Sequence, residues 1–191
     1  MRMHNYYTSI PLLLLFCLIT TNAYIVRPPV TLPAATPSSY TLPPTHAYKR
    51  IPKISSAYLF MAPQNAARAE LGLRPLTWDR KLASYAKWWA SQRKQDCALQ
   101  HSSGPYGENI FWGSSTDFTP DQAAQDWVSE KKYYNYGDNS CAEGQDCGHY
   151  TQIVWKNSKR IGCAKAECYN GGVFMICNYD PPGNYIGEKP Y

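Results

Sequence analysis

Six cysteines fall between positions 97 and 177 of a 191-residue chain, at Cys97, Cys141, Cys147, Cys163, Cys168 and Cys177, and a seventh, Cys17, lies near the start. The early one sits inside Pro11-Leu12-Leu13-Leu14-Leu15-Phe16-Cys17-Leu18-Ile19, preceded by Arg2 and followed by the small-residue stretch Thr21-Asn22-Ala23. That order reads as a secretory signal over residues 1–23, with an apolar run shorter than the ~20 residues of a membrane span. A membrane anchor is the alternative, but no second apolar stretch supports it. Cleavage removes Cys17 and leaves an even set in an oxidising route, which argues for three disulfides in an extracellular protein. A thiolate zinc site is the competing reading, and it lacks any C-x2-C pair.

The local sequence removes most of the pairings open to six cysteines. Asn170-Gly171-Gly172 separates two strand-like runs, Arg160 to Cys168 and Val173 to Tyr179, and supplies the positive φ angles of a tight hairpin. Cys163 and Cys177 each lie seven positions from Asn170, so they stand opposite each other. Cys168 is five positions after Cys163, an odd step that turns it to the other face of the sheet. Cys141 and Cys147 bracket a short loop centred on Gly144, and elimination leaves Cys97 with Cys168.

Ahead of this region, residues 24–52 carry Arg27-Pro28-Pro29, Leu32-Pro33, Thr36-Pro37 and Leu42-Pro43-Pro44 with no apolar periodicity, which reads as a polyproline-like spacer. Helical pattern begins near Ser55. In the first helix Pro63 suits a first helical position and Gly72 a stop. A second helix starts at the N-cap candidate Asp79 and presents Leu82, Tyr85, Ala86 and Trp89 on one face. A third opens at Thr119-Pro120-Asp121-Gln122, a capping box with proline in the first turn, and turns Ala123, Ala124, Trp127 and Val128 inward. A short helix from about His149 to Trp155 precedes the hairpin. Helices first and strands late make the class α+β, layered as an α-β-α sandwich within one domain over residues 53–191.

The chain carries 19 basic and 14 acidic residues; loss of Arg2 with the signal leaves 18 against 14, a net charge of +4. This mild excess lacks a Lys/Arg block. It gives nucleic-acid binding no support and favours acidic walls or anionic lipid only weakly.

Gln100-His101-Ser102, Gly107-Glu108-Asn109, Trp127-Val128-Ser129-Glu130, Gly148-His149-Tyr150-Thr151-Gln152-Ile153-Val154-Trp155 and Cys177-Asn178-Tyr179-Asp180 resemble the CAP (SCP) superfamily, in particular the plant pathogenesis-related proteins of group 1. The resemblance implies a three-layer α-β-α sandwich, and its disulfide pattern agrees with the pairing above. It also implies a central cleft with two histidines and two acidic residues, matched here by His101, Glu108, Glu130 and His149. One departure is Gln64, where the family usually has His in the first helix; a local change in hydrogen bonding is the expected consequence.

Two imidazoles with two carboxylates can hold a divalent metal such as zinc, form a polar cluster with perturbed protonation, or simply fix the loops. No cofactor is required by these motifs. A hydrolase would need Ser102 or Ser103 placed against His101, and no H-E-x-x-H or G-x-S-x-G motif supports one.

Trp127, Tyr133, Tyr134 and Tyr136 are the candidates for an aromatic binding loop, the three tyrosines lying on a Gly/Asn-containing stretch between Trp127 and Cys147. Amphipathic rings on a loop suit a flat apolar ligand, although they equally suit a cap on the core. The resemblance implies sterol binding there and inhibition of sterol-dependent microbes. It also implies that residues 181–191, following Cys-Asn-Tyr, are the precursor of a defence-signalling peptide released by a protease between Asp180 and Pro181. Pro181, Pro182 and Pro190 bar strand continuation, so the tail is either accessible or folded back along the domain. The expectation is a secreted, monomeric defence protein that binds a sterol or similar lipid, with a metal-dependent or Ser-His-Glu hydrolase as the alternative.

Overall fold

The computed structural model describes residues 54–191. The signal expected over residues 1–23 and the spacer expected over 24–52 lie outside them. Helix α1 runs Ser56–Glu70, with the Ser55 hydroxyl accepting from the Tyr58 N–H at 3.2 Å. Pro63 therefore stands inside the helix rather than at its first position. Ser55 supplies the cap that starts the helix one turn and more before the proline, and Pro63 simply has no N–H to give the Leu59 carbonyl. Strand β1, Thr77–Trp78, leads into α2, Arg80–Gln92, where Asp79 accepts from the N–H groups of Lys81 and Leu82. Strand β2, Gly107–Gly113, was not anticipated: Gly-Glu-Asn at its start carries none of the β-branched signal of a strand.

Helix α3 is Pro120–Ser129, with the Gln122 side chain reaching back to the Thr119 N–H at 2.8 Å. A 3-10 turn follows at Glu130–Tyr133, then the two-residue strands β3, Tyr134–Asn135, and β4, Ser140–Cys141. Helix α4 is Gly148–Ile153, and the hairpin of β5, Arg160–Glu167, and β6, Val173–Asp180, completes the regular structure. Gly171 takes the positive φ of +85° in the turn.

The main sheet is ordered β1-β5-β6-β2, with β6 antiparallel to both neighbours and β1 parallel to β5. Its side chains alternate strictly. Val173, Met175, Cys177 and Tyr179 join a core with Phe60 of α1, Ala123 and Trp127 of α3, and Tyr150 and Ile153 of α4. Phe174 and Ile176 face the other way, onto Ala86 and Ala90 of α2. This is the three-layer sandwich, with α2 alone on one side. Cys163 sits opposite Cys177, and all three disulfides join the expected partners: Cys97–Cys168, Cys141–Cys147 and Cys163–Cys177. Among the described residues no helix is long and apolar enough to cross a membrane.

Candidate functional site

Strand β2 brings Glu108 and Asn109 alongside Asn178 and Cys177 of β6. The Glu108 side chain, only 6% exposed, accepts from the Ser102 N–H at 2.8 Å, from Asn178 Nδ2 at 2.9 Å and from the Ser102 hydroxyl, and meets His101 Nδ1 at 3.1 Å. Burial pushes its pKa up, but the hydrogen bonds from His101, Ser102 and Asn178 more than offset this and hold it below the ordinary value. Ser102 thus gives its proton to a carboxylate, while its oxygen accepts from the Tyr85 hydroxyl and the Gly104 N–H. That arrangement does not join Ser102 to His101 as a nucleophile and its base.

Glu130, where α3 passes into the 3-10 turn, caps α4. Its Oε2 accepts from the N–H groups of His149 and Tyr150, each at 3.0 Å, and its Oε1 meets His149 Nδ1 at 2.6 Å. Burial lowers the His149 pKa, yet the Glu130 hydrogen bond and charge, helped by Asp146 and Asp126, leave it raised. The His149 ring also stacks on Trp127 at 6.0 Å.

The four expected cleft residues therefore form two His–Glu pairs, tied by Asn109, whose Nδ2 donates to the His149 carbonyl at 3.0 Å. Donor atoms of Glu130, Asp146 and His149 lie within 4.8 Å of one another; His101 and Glu108 do not enter that group among the described residues. Asp146, inside the Cys141–Cys147 loop, was missed because a lone aspartate beside a cysteine has no distinguishing spacing. Gln64 is fully buried and accepts from the Tyr179 hydroxyl at 2.7 Å, which in turn accepts from Asn109 at 3.1 Å. The departure at this position thus reaches His149 through two intermediaries.

The aromatic candidates separate. Trp127 is buried and donates from Nε1 to the Ile110 carbonyl, so it belongs to the core. Tyr133 lies under Lys132, whose Nζ is 4.7 Å from the ring centroid. Tyr136 stacks on Tyr191 at 4.5 Å and donates from its hydroxyl to the Tyr191 carbonyl. Tyr134 alone lines a cleft of about 370 Å³ between the loop and the tail, together with Cys141, Cys147, Trp155, Tyr185 and Ile186. Trp155, Tyr185 and Ile186 were not expected there, because only the fold-back of the tail places them opposite Tyr134.

That fold-back is extensive. Pro190 is buried, its carbonyl accepting from the Lys156 N–H at 2.7 Å. Asn184 holds the Gly148 carbonyl at 2.8 Å, Asn139 holds the Glu188 carbonyl at 3.1 Å, and Lys189 holds the Gly137 carbonyl at 3.0 Å. Asp180 closes β6 with its carbonyl on the Lys159 N–H at 3.1 Å, and Pro181 is exposed with its carbonyl on Ser158 at 2.8 Å. Arg68, buried in α1, anchors the floor by donating to the carbonyls of Ile153, Trp155 and Ser158.

A profile of the cysteine-rich secretory protein family (CAP) matches residues 61–179. The chain is 61% identical over 133 residues to pathogenesis-related protein PR-1 of Medicago truncatula, covering 69% of this chain and 77% of that one. It is 54% identical over 132 residues to pathogenesis-related protein 1C of Nicotiana tabacum, covering 69% and 79%. Its structure is similar to that of Na-ASP-1, with TM-score 0.62 and 25% identity over 72% of this chain and 41% of that longer one. It shares a fold with NaASP2, solved with Zn2+, at TM-score 0.59 and 22% identity over 71% of this chain and 84% of that one. The chain belongs to the CAP family, in its plant pathogenesis-related protein 1 branch.

Proposed function

We propose that this is a secreted plant defence protein, acting in the apoplast as a monomer, that sequesters a sterol or similar flat lipid in the cleft between the Tyr134–Cys147 loop and the tail. The observation that carries the reading is the cleft itself. Its volume of about 370 Å³ falls within the range of about 300–1,000 Å³ typical of small-molecule sites. Its wall combines Tyr134 and Trp155 with Tyr185 and Ile186, the last two exposed at 52% and 104%. Exposed apolar side chains on a docked tail favour an apolar ligand. The three disulfides fit an oxidising, extracellular compartment, and the plant relatives named above support the defence role.

The test is growth of a sterol-requiring microbe in the presence of the disulfide-intact protein. Growth should stop with wild type, resume when excess sterol is added, and continue with Tyr185→Ser/Ile186→Ser. Inhibition that added sterol does not relieve would sink the reading.

The tail carries a second reading, as precursor of a signalling peptide of residues 181–191. Asp180 ends β6 and Pro181 is exposed, so the junction lies at the end of that strand, where a protease approaches it from the Pro181 side. The remaining tail contacts would hold the cut peptide in place until it dissociates.

Metal binding at Glu130, Asp146 and His149 is the reading of the polar cluster. One nitrogen and two oxygens suit zinc or another divalent ion, which would take His149 from its hydrogen bond with Glu130. Zinc should raise the thermal midpoint of wild type and leave His149→Ala unmoved. An equal rise in both would contradict it.

A further inference from the structure

Helix α2 spends its apolar side on the sheet: Leu82, Ala86 and Ala90 are all buried. Its outward side carries Arg80, Lys81, Ser84, Lys87, Trp88 and Ser91, all exposed, at the three- and four-residue steps of one helical face. From residue 80 to residue 95 the chain has five basic residues and no acidic one. Arg93 is 3.7 Å from Asp96, but among the described residues Arg80, Lys81, Lys87 and Lys94 have no carboxylate within 4.0 Å. Beside this stripe, between α2 and β5, runs a groove of about 470 Å³ whose cations are Arg80, Lys87 and Lys165 and whose lining holds no carboxylate. Lys165 is held at that wall by the carbonyls of Thr116 and Phe118, each at 2.7 Å.

Aromatic rings continue the stripe. Trp88, 51% exposed, lies 5.7 Å from Trp89 and 5.3 Å from Tyr85, and Tyr85 lies 5.2 Å from Tyr106. Tyr106 borders the separate cleft that holds His101 and Glu108. With Asp79 beside Lys81 at its N-terminal end, the face joins cations that have no ion-pair partner among the described residues to a row of rings with polar edges.

Charge of this sign and density calls for an anionic partner. A bilayer is a poor match, since an interfacial helix must bury an apolar face in lipid and that of α2 is already buried in the protein. A polymer bearing both carboxylates and C–H-rich faces uses both features, with ion pairs to the cations and apolar contact to the rings. We propose that the outward face of α2 and the adjoining groove bind an acidic polysaccharide. In that complex Arg80, Lys81 and Lys87 pair its carboxylates, while Trp88 and Tyr85 lie against its sugar faces. The surface is distinct from the loop–tail cleft, and its occupancy does not depend on a lipid being bound there.

The probe is polygalacturonate, with retention of the full, disulfide-intact protein measured by affinity electrophoresis. Retention should fall about tenfold in Arg80→Glu/Lys87→Glu, and should weaken between roughly 0.02 and 0.2 M salt, as exposed ion pairs do. Trp88→Ser should lose retention by about threefold without changing the salt dependence. Lys132→Glu/Lys156→Glu makes the same change in net charge elsewhere on the surface and should be retained like wild type. Fully methyl-esterified polymer should bind neither. Should the double reversal fail to fold, Lys87→Gln reads the same loss on a smaller scale. Equal losses in both double variants, or equal retention by the esterified polymer, would overturn the proposal. So would binding to anionic vesicles or to DNA by a wild type that ignores polygalacturonate.

Discussion

Gln64 shows how one buried amide can link a helix to a distant site. It donates to the Phe60 carbonyl at 2.9 Å and accepts from Tyr179, and Asn109 carries the chain of hydrogen bonds to the His149 backbone. Gln64→Ala leaves a buried tyrosine hydroxyl without its acceptor, which should cost about 1–3 kcal/mol in denaturant unfolding. Gln64→His keeps an acceptor and should recover most of that loss. The two ionisable pairs make stability pH-dependent in opposite senses. The raised pKa of His149 contributes stability that is full below its ordinary 6.5 and is lost as pH rises through the raised folded value. The depressed pKa of Glu108 contributes stability that is full above its ordinary 4.5 and is lost as pH falls through the lowered folded value. In chelator, thermal midpoints of wild type should therefore fall on the alkaline side of 6.5, and Glu130→Gln should flatten that limb. His101, Glu108, Glu130 and His149 were legible because they sit in distinctive motifs. Arg68 was not, since a buried arginine whose partners are all carbonyls has no acidic residue to betray it.

Elements were legible wherever a cap or a period spoke. Asp79, the Thr119–Gln122 box and the Asn170–Gly172 turn each marked a real boundary. Strand β2 escaped because its polar start faces the site rather than a core, and pairing with β6 overrides its weak local preference. A close seam of sheet against helix backbone is at Gly162, where an added Cβ would come within 2.1 Å of the Ala83 nitrogen and 2.6 Å of Leu82 Cβ. Gly162→Ala must push α2 off the sheet, at a cost of about 1–3 kcal/mol or more. Gly72→Ala meets no atom within 4 Å and tests only the positive φ of +67°. Chemical unfolding of the two side by side separates crowding from backbone strain, and a loss at Gly162 no larger than at Gly72 would contradict the close packing.

The disulfides divide stability from function across the molecule. Cys97–Cys168 closes a loop with a sequence separation of 71, and Cys141–Cys147 one of 6. In the chain-entropy model these are worth about 4 and about 2 kcal/mol. Replacing both cysteines of the longer bridge by alanine should therefore cost more stability. Replacing those of the shorter should cost more ligand binding, because Cys141 and Cys147 wall the cleft. The tail completes that wall, so the opposing surfaces could not be seen until residues 184–190 were placed. Equilibrium binding of radiolabelled sterol to the disulfide-intact protein decides whether the cleft is a lipid site. Wild type and the surface control Tyr58→Ser should bind saturably, while Tyr185→Ser/Ile186→Ser and a chain ending at Asp180 should bind at least about tenfold more weakly. No saturable binding by wild type, or undiminished binding by the chain without its tail, would contradict it.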